Sequence, residues 1–151
     1  MTLVVGLRGK DHVVVAADRL GHTSDGGGTY GFKCAKLRSI VAGNRNWVVG
    51  MAGSDQAITL VDTVAISGAT LAGKSALGDL TQYYVPELCE VAARAGCDEP
   101  MWFLFAGVDS TGPFLYRLSF DGEKWHGPGE HQGNHLAIGS ACHGAMYFMS
   151  A

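Results

Sequence analysis

The sequence lacks the features that would assign it to a membrane or to nucleic acid. No apolar run approaches the roughly 20 residues needed to cross a bilayer, so no membrane span is expected. The start carries no basic stretch followed by an apolar segment, so no secretory signal is expected and a cytoplasmic location is. A formal net charge of -3 offers no basic stripe for nucleic acid. Cys34, Cys89, Cys97 and Cys142 never stand in C-x-x-C spacing. Zinc is therefore not expected, and reduced thiols are. No internal repeat and no linker divides the chain.

What is present is 151 residues, 47% hydrophobic and 17% charged. That composition reads as one folded domain over residues 1–151, long enough to bury a core. Glycine is abundant at 22 residues, much of it in SDGGGTYG (24–31) and HGPGEHQG (126–133), both read as loops.

Short branched-apolar runs predict strands at TLVVGLRG (2–9) and HVVVAAD (12–18), joined as a hairpin by Lys10 and Asp11. The unbroken apolar run of the second suggests burial on both faces. KLRSIVA (36–42) and NWVVGMAG (46–53) predict two more strands. Beyond Gly53 the spacing becomes helical: Ala57, Leu60, Val61, Val64, Ala65 and Gly68 share a face, with Ser54 as the cap. A second helical pattern runs from Ser75 to Ala95 and should kink at Pro86. Strands return at 101–109 and 113–120, shorter candidates follow at KWHG and NHLAIGS, and the tail opens another helix. Strands in runs and helices in a block argue for an α+β fold with antiparallel sheets.

Thr2 stands directly behind Met1, and a threonine hydroxyl becomes a useful nucleophile only beside a base. A free α-amino group, with a pKa near ~8, can be that base once Met1 is removed. Asp18 closes the second strand and Lys36 opens the third. An ammonium near the amine would disfavour its protonation, and a carboxylate would hold that ammonium in place and charged. Gly53, at the entry to a helix, offers a backbone N–H for an oxyanion.

Thr2, AAD ending at Asp18, KLRSI with Lys36, GMAGS with Gly53 and AIGSA with Ser140 resemble, in order and spacing, the proteasome-type β subunits. These are N-terminal-nucleophile (Ntn) hydrolases and include bacterial HslV-like peptidases. The interval from Thr2 to Asp18, 16 positions (18 − 2), matches the family's. The resemblance implies a four-layer αββα sandwich, the Ntn-hydrolase fold, here shortened at its C-terminal end. It implies a threonine endopeptidase acting on peptides or unfolded proteins, in stacked rings of identical subunits that an ATPase unfoldase could feed. Carried across, Thr2 is nucleophile and base, Asp18 and Lys36 the charged pair, Gly53 the oxyanion donor and Ser140 a partner of the Thr2 amine. Met51 and Cys34 become walls of the substrate pocket, which suggests an apolar preference. No cofactor and no metal is implied.

The chain departs from the family in three respects. The segment between Asp18 and Lys36 is slightly longer and glycine-rich, which makes Lys33 a rival for Lys36. Lys36 is preferred because KLRSI fits the pattern and because positions 33 and 36 face opposite sides of a strand. The family continues well beyond the equivalent of Ser140, with an aspartate and a serine that this chain lacks. Met1 would also block the amine while attached. A catalytically silent ring subunit is therefore a second reading. A third is nucleotide binding, since GATLAGKS (68–75) fits the P-loop pattern, although helical rather than strand spacing precedes it. His126, His131 and His135 lie in a glycine-rich segment with no acid cluster and read as solvated.

Overall fold

The apolar run Met101–Asp109 (β7) is the central strand of the molecule, and side-chain alternation along it organises two cores. Phe103 and Phe105 point to one face of its sheet, Leu104 and Ala106 to the other, and all four are fully buried. The computed structural model describes residues 2–25, 28–42, 45–64 and 75–150.

Among the described residues, three antiparallel sheets make up the frame. The largest has the order β5 (Leu37–Ala42), β6 (Arg45–Gly53), β7, β8 (Gly112–Phe120), β9 (Trp125–Glu130). A second has the order β10 (His135–Ile138), β1 (Val4–Arg8), β2 (Val13–Ala17). A hairpin of β3 (Leu20–Asp25) and β4 (Gly28–Lys33) forms the third. Helices α1 (Gln56–Thr63), α2 (Ala76–Asp79), α3 (Val85–Arg94) and α4 (Cys142–Ser150) are short. A π-helical turn, Leu80–Tyr84, joins α2 to α3.

One core lies between the helices and the large sheet. It gathers Trp47, Met51, Phe103, Phe105 and Tyr116 against Leu60 and Val61 of α1, Tyr84, and Leu88 of α3. Edge-to-face rings bind it, with Tyr84 meeting Trp47 at 6.0 Å and Phe105 at 5.4 Å between centroids. The other core lies between the two larger sheets, where Ala52, Leu104, Ala106 and Leu115 meet Val4, Leu136 and Ile138.

The α+β, four-layer αββα expectation is corrected by this arrangement. The described chain is mostly strand, in three antiparallel sheets carrying short helices. The glycine-rich segment 24–31 read as a loop is instead paired, Ser24 with Thr29 and Asp25 with Gly28. The helices that enter a core cover only one face of the large sheet. On the outer face of the smaller sheet the cross-strand partners Leu7 and Val14 are 45% and 52% exposed. For the same reason β2 is not buried on both faces: it is an edge strand whose exposure alternates residue by residue.

Two local details follow from backbone chemistry. Pro86 does not simply kink a helix. It has no N–H and would crowd the carbonyl one turn earlier, and the turn just before it widens to π geometry, with Val85 N–H donating to Leu80 O. Helix α1 ends at Thr63, with Ser54 Oγ accepting from Gln56 N–H at 3.3 Å. Ala65, Gly68 and the P-loop match up to Lys74 lie outside the described residues, whereas Ser75 caps the next helix by accepting from Gly78 N–H at 3.0 Å.

Candidate active site

Antiparallel pairing brings distant residues to one end of the small sheet. Strand β1 starts where β2 and β10 finish, with Val4 opposite both Ala17 and Ile138. Thr2, just before β1, is thereby flanked by Asp18 from one neighbour and Ser140 from the other. The large sheet supplies Lys36, the residue before β5, whose carbonyl accepts from Met51 N–H at 3.0 Å.

The Lys36 side chain is only 5% exposed, and its ammonium is fully engaged. It donates to Asp18 Oδ2 at 2.8 Å, to the Leu20 carbonyl at 2.5 Å and to Thr2 Oγ1 at 3.3 Å. A buried charge is tolerable only when paired and hydrogen-bonded in this way. Thr2 N–H donates to Ser140 Oγ at 3.0 Å. Lys33, the rival, is exposed at the end of β4.

Burial by itself would raise the pKa of Asp18. Hydrogen bonds from Leu3 N–H, the Lys36 ammonium and Leu20 N–H, together with the Lys36 charge, outweigh it and hold the carboxyl below its ordinary value. The stability this contributes is fully present above the unfolded value of about 4 and is lost as pH falls through the lower folded value. Asp18→Asn should therefore destabilise the fold at neutral pH, with the difference from the unmodified chain shrinking on acidification. Denaturant unfolding between pH 7 and pH 3 measures it, and a pH-independent difference would refute it.

Gly139 completes the geometry and was not singled out from sequence, although it sits inside AIGSA. Its φ is +103°, and a Cβ there would run into the Thr2 carbonyl oxygen. The same carbonyl accepts from Ala141 N–H at 3.4 Å. Gly139→Ala should cost about 1–3 kcal/mol and push Thr2 away from Ser140. Denaturant melts test the first effect.

A cavity of about 730 Å³ opens beside this cluster, lined by Thr2, Lys36, Ser140, Gly53, Met51 and Cys34, among others. Gly53 ends β6 at φ +92°, where a Cβ would strike the Pro100 carbonyl and meet the Trp102 ring at 3.0 Å. All seven residues singled out from sequence therefore converge here, six on the cavity wall and Asp18 behind Lys36. Trp102, Phe32, Asp55 and Glu99 also line it and were not anticipated, because long-range pairing delivers them. Among the described residues no group of three or more His, Cys, Asp or Glu side chains assembles as a metal would need, and no helix is long and apolar enough to cross a membrane. His126, read as solvated, is exposed and paired with Asp121 at 2.9 Å.

Chemically, the arrangement places an ammonium on a threonine hydroxyl, next to that residue's own nitrogen and at the wall of a cavity. No family model matches the chain, and no curated protein does. Solved structures of similar fold are those of Anbu from Hyphomicrobium sp. strain MC1. One aligns with 99% of this chain at 18% identity and a TM-score of 0.67. A mutant form aligns with 93% at 17% identity and a TM-score of 0.60. This chain spans 65% and 61% of their lengths. The resemblance to a proteasome-type β subunit is corrected accordingly: what the chain is similar to is Anbu, distantly, and the similarity is one of fold.

Proposed function

We propose that the chain is a hydrolase of the N-terminal threonine type, cutting peptide bonds with Thr2 once Met1 has been removed. The observation that carries this is the contact of Lys36 Nζ with Thr2 Oγ1 at 3.3 Å, under an ammonium fixed by Asp18. Nothing in the packing of a core requires a buried lysine to end on a threonine hydroxyl. The positive charge lowers the cost of developing negative charge on that oxygen.

In the proposed reaction, Thr2 Oγ1 attacks the carbonyl carbon while its proton passes to the Thr2 amine. The new C–O bond leaves negative charge on the carbonyl oxygen, which in this proposal the Gly53 N–H holds. The C–N bond then breaks, and the departing amine takes the proton from the Thr2 nitrogen. Water, deprotonated by the same nitrogen, hydrolyses the ester and restores Thr2. Ser140 Oγ, now 3.0 Å from that nitrogen, keeps it oriented throughout. Assembly of copies into rings around a chamber belongs to the same proposal.

A threonine-directed covalent inhibitor tests the reading. Intact mass should show loss of Met1 and one adduct, and fragment mapping should place the adduct on Thr2. An adduct elsewhere, or none on a chain that begins at Thr2, would leave a catalytically silent subunit as the better account.

A further inference from the structure

We propose that the cavity beside Thr2 selects a long aliphatic side chain ending in a positive charge, as in lysine or arginine. The inference rests on the reading above that the substrate is a peptide. The apolar wall alone, Met51 with Ile58, would accept any aliphatic side chain; Met51 is 1% exposed and Ile58 partly buried. What distinguishes the site is its rim. Ser54 N–H donates to the Pro100 carbonyl at 3.0 Å, and this bond sets Asp55 and Glu99 on adjoining segments at the cavity. Both are exposed, and among the described residues neither side chain has a hydrogen-bond or ion-pair partner.

Both carboxylates face a cavity without a cation of their own, and a positive head placed there is attracted by each. Lys36 lines the same cavity but its charge is already met by Asp18. The Phe32 and Trp102 rings complete the wall, and their faces attract a cation as well. A lysine-like side chain satisfies all of these at once, its stem along the apolar wall and its head at the rim. A glutamate-like one meets repulsion, and a purely aliphatic one leaves the carboxylates as they were.

The test measures binding, so it does not depend on turnover. Fluorescein-labelled short peptides that differ at one position, lysine, norleucine or glutamate, are titrated by anisotropy against the Thr2→Ala chain. Lysine should bind roughly fivefold tighter than norleucine at low salt, as two solvent-facing charge pairs would give, and glutamate more weakly than either. The gap should close as salt rises and vanish in the Asp55→Asn, Glu99→Gln double variant, whose folding circular dichroism checks. Equal binding of lysine and norleucine overturns the inference, as does a preference that survives the double substitution, or no peptide binding by a folded chain. If the double variant does not fold, the salt dependence in the parent chain decides. Charge discrimination in binding with no labelling of Thr2 would sink the hydrolase reading alone.

Discussion

Lys36→Met should abolish peptide hydrolysis, by about a thousandfold or more, whereas Lys33→Ala should leave it within about twofold. The magnitude follows from the place of the charge: a positioned group acting on developing charge in a water-poor site is worth about 10²–10³ or more in rate. The Lys36 ammonium touches Thr2 Oγ1, and no other cation lies within hydrogen-bonding distance of that oxygen among the described residues. Methionine keeps the length and apolar stem, so the core it fills should survive. It does leave Asp18 without its cation, although Leu3 and Leu20 N–H still donate to the carboxylate at 2.8 and 3.1 Å. Stability should fall and the fold remain, which circular dichroism checks alongside steady-state kinetics. Lys33 is exposed and one strand end away from the cluster. Activity retained by Lys36→Met, or lost in Lys33→Ala, would place the working ammonium elsewhere.

The site was legible in the sequence to the extent that it is made of residues at strand ends. Thr2, Asp18 and Ser140 sit at the ends of three short apolar runs that pair antiparallel, so locating the runs located the residues. Lys36 was separable from Lys33 because KLRSI fits a family pattern; the other ground, opposite faces of one strand, does not hold, since Lys33 ends β4 and Lys36 precedes β5. The rim was not legible. Asp55 and Glu99 lie 44 positions apart (99 − 55), and their segments are joined at the cavity by the Ser54–Pro100 bond. The layering also escaped, for two physical reasons. Glycine hides the alternation that announces a strand, so β3 and β4 looked like a loop. Conversely VVVAA in β2 reads as doubly buried, because an apolar run does not say whether a second layer covers it.

A chain beginning at Thr2 should hydrolyse peptides, and the same chain with Met1 attached should be inactive, at under about one part in a hundred. Removing Met1 changes the Thr2 nitrogen from an amide to an amine. An amide N–H can donate, as it does to Ser140 Oγ at 3.0 Å, but its lone pair is delocalised into the carbonyl and accepts no proton. The free amine, with a reference pKa near ~8, accepts one. General-base assistance of this kind is worth roughly 10²–10⁴ in rate. The two forms can be made from one coding sequence, as fusions whose processing leaves either Met1 or Thr2 first, and intact mass confirms which is in hand. The pH dependence carries a sign of its own. The base must be unprotonated, so kcat/KM for the Thr2-first chain should rise with pH through the titration of its amine and level off above it. Asp18 is ionised well below that range, its pKa being held below the ordinary carboxylate value, so the rise belongs to the nitrogen and not to the pair beneath it. Equal rates for the two forms would remove the amine from the mechanism and leave Lys36 as the group to test for the base.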